Sequence, residues 1–384
     1  MRTRRSADSF AIMTSTLESL PDILLLGPGP STTHPAVYEA LARPTLGHLD
    51  PVFIGLMDEV RELLQTLAHT KNRLTLPISG TGSAGMEASF VNFIEPGDRV
   101  LILQNGVFGT RMKDVAGRLG AVVDSVDAEW GTPIDPESVR ERLNKNAYDL
   151  VAVVHAETST GVRNPVEAIG ALVRPTGALF LVDSVTGFGG IPVEVDGWGA
   201  DLFYSGTQKC LNCPPGLAPF SASDRAVARL QRRETKVPNW YLDLSMIVNY
   251  WDGAKRAYHH TAPINMIYGL YAALQAILSE GESTVFARHQ RAHQRLVAGL
   301  ERLGLQLPVA PEFRLPMLNA VTVPNGVDEA AVRAAMLKEH GIEIGAGLGP
   351  LAGKIWRIGL MGVNAREDVV DRCLEALGQC LGRN

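Results

Sequence analysis

Five short stretches of the sequence carry residue types suited to chemistry. Ser79-Gly80-Thr81-Gly82-Ser83 joins small residues to the start of a helical pattern. Small residues let the main chain approach an anion, and a helix N-terminus adds free N–H groups and a positive dipole end. That suits a phosphate, although a structural turn has the same composition. Asn105-Gly106-Val107-Phe108-Gly109 sets an aromatic between glycines, where it can stack on a planar ligand or fill a core. His155-Ala156-Glu157-Thr158-Ser159-Thr160-Gly161 is more polar than a turn needs, though a lone His there is more often packed than catalytic. Asp183-Ser184-Val185 follows an apolar run, where a carboxylate is costly unless it meets a cation or several donors. Asp183 therefore either caps the next turn or faces a protonated ring nitrogen or a metal. Ser205-Gly206-Thr207-Gln208-Lys209 ends on a lysine 26 residues beyond Asp183. Most lysines are solvated charges, but one among small and apolar neighbours can lose proton affinity and act as a nucleophile.

The elements around these stretches explain how they can meet. Short apolar runs over 74–78, 100–103, 121–126, 150–154, 179–182 and 202–204 read as strands. Helical patterns lie between them over 83–94, 110–119, 136–144 and 165–173, each punctuated by Gly, Pro or Asp. Such alternation predicts an α/β domain with a mainly parallel sheet. Ligands of open parallel sheets bind outside the carboxyl ends of the strands, which is where all five stretches fall. Together they offer an anion cradle, a ring-face partner, a hydroxyl loop, an acid and a lysine at one sheet edge. Pyridoxal 5'-phosphate requires that set. Beyond about residue 282 come helices over 283–303, 328–340 and 365–381 and strands over 319–323 and 356–360. They predict a smaller C-terminal α/β domain, 282–384, after a large cofactor-binding domain, 22–281, and an N-terminal extension, 1–21.

Composition narrows the function classes. Charged residues balance to −5 over 384 residues, so no basic excess exists for a nucleic-acid backbone. The 46% apolar content excludes a disordered chain. No apolar run approaches the ~20 residues that span a bilayer, and no apolar segment follows the basic first residues as a secretory signal would require, so the expected location is the cytoplasm. Four cysteines are too few for a disulfide framework; Cys210 and Cys213 form a C-x-x-C that lacks nearby partners for a metal and reads as packed thiols. No metal site is expected. Gly is enriched, with 38 residues, and many of them fall in the five loops. The first of those loops is not a Walker A motif and lacks the G-x-G-x-x-G of a dinucleotide site, which disfavours a nicotinamide-dependent dehydrogenase.

The chain resembles the class V, fold-type I aminotransferases, above all the alanine–glyoxylate and serine–pyruvate group. The resemblance runs in unbroken order through Leu26-Gly27-Pro28-Gly29-Pro30, Ser79-Gly80-Thr81-Gly82, Asn105-Gly106-Val107-Phe108-Gly109, Glu157-Thr158-Ser159-Thr160-Gly161, Asp183-Ser184-Val185, Ser205-Gly206-Thr207-Gln208-Lys209, Tyr258-His259-His260-Thr261 and Trp356-Arg357-Ile358-Gly359. It implies that Lys209 forms the Schiff base with pyridoxal phosphate and shuttles a proton, while Asp183 keeps the pyridine nitrogen protonated. It implies that Phe108 stacks on the ring and that Thr158 lies near the phenolic oxygen. Thr81, Gly82, Ser83 and Gln208 would hold the phosphate. Tyr258 and Thr261 would reach the phosphate of a neighbouring subunit in a homodimer with shared sites. Arg357 would grip the substrate carboxylate as a bidentate fork, and the loop containing Gly29 would line the substrate side. The implied reaction is ping-pong transfer of an amino group from a small amino acid, alanine or serine, to a small 2-oxo acid, glyoxylate or pyruvate.

Two positions depart from the pattern. Ser83 stands where some relatives have His, and Phe108 stands where others carry Trp. Rival readings are a pyridoxal-phosphate lyase such as a cysteine desulfurase, which needs a mobile catalytic Cys, and a non-catalytic ligand-binding relative, which would be expected to lose Lys209 or Arg357.

Overall fold

The computed structural model describes residues 18–253 and 256–383, so most of the expected extension over 1–21 lies outside the described residues. Strand β1 (Leu24–Leu26) leads to helices α1 (Pro35–Leu41) and α2 (Pro51–Leu67). Alternation then begins with β2 (Leu74–Ser79), α3 (Gly82–Val91), β3 (Arg99–Gln104), α4 (Val107–Arg118), β4 (Val122–Asp127), α5 (Pro136–Lys145) and β5 (Leu150–Val154). A small ribbon, β6 (Ala156–Glu157) and β7 (Val162–Arg163), precedes α6 (Val166–Val173), β8 (Leu179–Asp183), α7 (Val195–Trp198) and β9 (Leu202–Tyr204). Next come β10 (Leu217–Ala222), α8 (Asp224–Gln231), α9 (Leu244–Trp251) and α10 (Ile264–Glu280). The chain closes with α11 (Glu282–Arg302), β11 (Leu318–Thr322), α12 (Glu329–His340), β12 (Ile342–Ala346), β13 (Ile355–Gly359) and α13 (Glu367–Cys380).

The large sheet has the order β2-β10-β9-β8-β5-β3-β4. It is parallel except at β10, which runs antiparallel to both neighbours. Its interior strand β5 reads Leu-Val-Ala-Val-Val and is buried throughout, as a strand covered by helices on both faces must be. The edge strand β4 carries Asp124 and Asp127 and is mostly part-exposed, which blunts the edge. The predicted strands match the observed ones within one or two residues. Strand β10 was not anticipated because Pro219 interrupts its apolar run. The register places Pro219 opposite Pro77, so two residues without N–H groups share one pair position.

The smaller sheet has the order β1-β12-β13-β11. Strand β1 falls at the head of the 22–281 stretch by sequence, yet it pairs in parallel with β12 (Leu24↔Ile342, Leu26↔Ile344). From β1 on the small sheet the chain crosses to the large one through residues 27–34, carrying the Gly29 loop between them. Strand alternation along β13 buries Trp356 and Ile358 in the small apolar core, and the period of two turns Arg357 to the opposite face. Trp356 is fully buried and its indole N–H donates to the carbonyl of Glu329 (3.2 Å). No helix among the described residues is long and apolar enough to cross a membrane.

Candidate active site

Helices α2, α5, α9 and α12 each begin on an Asp whose carboxylate accepts first-turn N–H groups. Helix α3 begins on Thr81 with no such side-chain cap, and Thr81 and Ser83 are exposed. Its first turn is pressed against the loop after β9. A Cβ on Gly82 would lie 3.1 Å from Val185 Cγ2 and 3.6 Å from Gly206 Cα. A Cβ on Gly206 would lie 2.8 Å from Gln208 Oε1. That amide oxygen is buried and has no hydrogen-bond partner. An amide presents two donors after a half-turn, so Gln208 and the open helix end can both address one phosphate. The expected cradle of Thr81, Gly82, Ser83 and Gln208 is thus brought together, and its orphaned amide fits a bound anion.

Asp183 ends β8 and is buried. Its Oδ1 accepts from the Val185 N–H (2.8 Å) and its Oδ2 from the Tyr204 hydroxyl (2.6 Å). Burial pushes its carboxyl up to about 6, against these two donors. Lys209 is buried nearby, and burial, with the positive charge of Arg357, holds its amine down to about 8. The Lys209 ammonium donates to the carbonyl of Pro28. Gly29 has φ +106°, which favours glycine, and a Cβ there would lie 2.6 Å from Lys209 Cδ and Nζ, so a side chain would push the lysine aside. Ser31 Oγ donates to the Lys209 carbonyl (2.6 Å), and Asn212 Nδ2 donates in turn to Ser31 Oγ (2.9 Å).

Phe108 was expected in a loop, with a helix from 110. Helix α4 instead begins at Val107, which puts Phe108 in its first turn. The reason is Glu157, which the sequence reading did not single out. Glu157 is fully buried; it accepts from the Phe108 N–H (3.2 Å), the Ser159 N–H (3.0 Å) and the Ser159 hydroxyl (2.6 Å). Ser159 Oγ also accepts from the Val107 N–H (3.0 Å). Capping from another loop replaces the missing cap of Gly106, where a Cβ would lie 2.4 Å from Glu157 Cδ. The available signal was an acid three residues beyond the end of a fully apolar strand. The Arg111 guanidinium lies 5.1 Å from the centre of the Phe108 ring.

Arg357 is 6% exposed. Its Nε donates to the Ala346 carbonyl (2.7 Å) and its Nη1 to the Thr158 carbonyl (3.2 Å). Burial lowers its guanidinium to about 10. A buried guanidinium held by carbonyls keeps charge and donors for a carboxylate ligand. Thr158 is buried beside it, with Thr186 Oγ1 3.4 Å from its hydroxyl.

Tyr258 and Thr261 lie on the surface of the chain. Both are exposed, with their hydroxyls 3.3 Å apart. His260 Nε2 lies 2.7 Å from Ser79 Oγ, which ties this loop to the end of β2. Trp240 stacks on His259 with ring centres 4.4 Å apart. The C-x-x-C thiols are free and buried, and burial pushes both up to about 12. Cys210 Sγ donates to Thr186 and Cys213 Sγ to Gly269, so they face different carbonyls and behave as packed thiols.

A family model described as aminotransferase class-V matches residues 33–371. The chain is 40% identical to an alanine–glyoxylate aminotransferase of Callithrix jacchus, over 94% of this chain and 88% of that protein. It is 39% identical to an (S)-ureidoglycine–glyoxylate transaminase of Bacillus subtilis, over 94% of this chain and 91% of that one. Among solved structures it is similar to an alanine–glyoxylate aminotransferase from Nostoc sp., with a TM-score of 0.93, 51% identity and coverage of 94% of this chain and 96% of that one.

Proposed function

The chain belongs to the class-V aminotransferases, pyridoxal-phosphate enzymes that move an amino group between amino acids and 2-oxo acids, and from that premise we propose a small donor, alanine or serine, and a small acceptor, glyoxylate or pyruvate. The observation that carries this reading is the fork of Arg357 beside Thr158 and Lys209, the only arginine among the described residues that is buried as a whole. One guanidinium serves one carboxylate, which suits a substrate without a distal acid. Glyoxylate is the acceptor in the names of both curated relatives above.

When bound, pyridoxal phosphate supplies an electron sink for the pair left by a broken Cα–H bond and a carbon that stores the amino group between half-reactions. The chain's own groups do the rest. The α3 N-terminus and Gln208 would hold the phosphate, and Phe108, pinned by Glu157, would offer a ring face. Asp183 places negative charge where a ring nitrogen must stay cationic. Arg357 anchors the substrate carboxylate and so fixes which bond at Cα faces the base. Lys209 Nζ, with its proton affinity lowered to about 8, would take the proton from the substrate Cα as general base and hold it for return.

We further propose a homodimer in which Tyr258 and Thr261 reach the partner's phosphate site. Supporting it, Trp240 (58% exposed), Tyr241 (44%) and Tyr258 (58%) gather around the loop that holds these two residues. Sedimentation of the loaded enzyme as a monomer would exclude it. Four free cysteines fit the proposed cytoplasmic location, which fractionation of the source cells tests. The lyase alternative lacks a mobile thiol among the described residues: Cys210, Cys213 and Cys373 are buried, and Cys380 ends helix α13.

The deciding experiment follows the cofactor absorbance of purified enzyme mixed with one amino acid at a time. Loss of the band with alanine or serine, and its return with glyoxylate or pyruvate, is expected. A response to ureidoglycine but to neither expected donor would overturn the donor assignment, and sulfide release from cysteine would favour the lyase.

A further inference from the structure

Tyr204 is fully buried at the end of β9, in register with Asp183 across the parallel pair β8–β9. Its hydroxyl donates to Asp183 Oδ2 at 2.6 Å, while Oδ1 is held by the Val185 N–H. The tyrosine ring runs beneath helix α3. A Cβ on Gly85 would lie 3.1 Å from Tyr204 Cβ and 3.3 Å from its Cδ2, so a glycine in that helix makes room for it. The mechanism above uses Asp183 and leaves this tyrosine without a role.

We propose that Tyr204 is a positioning residue that keeps the shared proton on the cofactor's ring nitrogen rather than on Asp183. The inference rests on the pyridoxal-phosphate reading of the site. A buried carboxylate and a pyridine nitrogen compete for one proton on nearly equal terms. A hydroxyl donating to the carboxylate stabilises its anion and weakens its hold on the proton. The proton then stays on the ring nitrogen, where it makes the ring an electron acceptor. Removing the hydroxyl leaves Asp183 equally buried but more basic, so the proton moves to the carboxyl and the ring becomes neutral. Burial and the Asp183 charge hold the Tyr204 phenol well above its ordinary range, so it remains a donor throughout working pH. The other charged groups facing the pair are Glu157, which opposes ionisation of both, Lys209, which favours the Asp183 anion, and Arg111, which acts on Tyr204.

The test uses cofactor-loaded Tyr204→Phe beside the parent enzyme. Nitrogen NMR of ring-labelled pyridoxal phosphate is expected to report a protonated ring nitrogen in the parent and a largely deprotonated one in the variant. The pH midpoint of the visible cofactor band should rise by about one unit, because a neutral ring leaves the lysine-linked nitrogen more basic. The rate of the alanine half-reaction should fall about tenfold, with KM changed less than about twofold, since Tyr204 is placed to touch the acid and not the substrate. An unchanged nitrogen shift and band midpoint in loaded Tyr204→Phe would overturn the proposal. Should that variant fail to hold cofactor, site-specific Tyr204→fluorotyrosine keeps the ring and makes the hydroxyl a stronger donor; a band midpoint that moves down supports the proposal, and one that stays or rises refutes it. A parent enzyme without any cofactor band would refute the pyridoxal-phosphate reading itself, a different outcome from an unchanged variant.

Discussion

The carboxylate of Glu157 accepts the main-chain N–H of Phe108 at 3.2 Å, so an acid at the end of one loop fixes the helix that presents the ring-stacking side chain. All the contacts on Glu157 come from donors, namely Phe108, Ser159 twice and the Gly109 N–H. Burial raises its carboxyl, but a proton on either oxygen would face another donor. Glu157→Gln puts an NH2 group against one of those donors. The expected cost is about 2 kcal/mol of stability, with faster cofactor loss on dialysis. Paired thermal melts and cofactor-release rates check this, and a variant that keeps both would show that the cap is dispensable.

Arg357 donates through Nε to Ala346 and through Nη1 to Thr158, which orients its fork from two sides. A lysine ammonium can replace the charge but cannot reproduce that geometry. Arg357→Lys should lower kcat/KM for both alanine and glyoxylate by about 10- to 100-fold, mostly through KM, while the cofactor spectrum stays unchanged. Steady-state kinetics with each substrate varied in turn measures it. A loss confined to kcat would place Arg357 outside substrate binding.

The loop that crosses between the two sheets gives a third expectation. Gly29 combines φ +106° with a virtual Cβ 2.6 Å from Lys209 Nζ. Gly29→Ala meets both backbone strain, about 1–3 kcal/mol, and a clash with the catalytic amine. The lysine is the flexible partner, so it should move first. Slowed formation of the cofactor band after mixing apoenzyme with pyridoxal phosphate is expected, with a modest fall in Tm. An unaltered rate of band formation would mean that the loop yields instead.

The large sheet was legible because its inner parallel strands β3, β5, β8 and β9 are built on apolar runs, each followed by a small or polar loop. Asp183 and Lys209 stood out for the same reason, one as an acid at the end of a buried strand and the other as a lysine in the loop that follows one. Other features were not legible. Strand β1 is only three residues long and is recognisable as a strand only through its partner Ile342–Ile344 at the far end of the chain. Strand β10 is masked by Pro219, whose missing N–H matters only once its register with Pro77 is known. Glu157 and Tyr204 look like one loop acid and one strand aromatic until the fold sets them against Phe108 and Asp183. Their roles depend on contacts 49 and 21 residues away along the chain.

A last expectation concerns acid. His289 is fully buried in α11, where its Nδ1 lies 2.8 Å from the Val285 carbonyl and its Nε2 2.9 Å from the Gly362 N. The carbonyl can only accept and the N–H can only donate, so the ring must be neutral with its proton on Nδ1. A second proton would point an N–H at an N–H. Burial accordingly lowers His289 to about 4 from an ordinary 6.5. Because the folded value is depressed, the unfolded chain takes up the proton first. The contribution of this site is therefore complete above about pH 6.5 and is lost as the pH falls toward 4, by at most about 3 kcal/mol. His155, lowered by burial to about 3, acts in the same direction. Parent enzyme should lose Tm steeply between pH 6.5 and 4. His289→Gln, whose amide can accept from Gly362 without titrating, should melt lower at neutral pH and show a shallower acid decline. Parallel acid slopes in the two proteins would mean that His289 is already free to protonate in the folded chain.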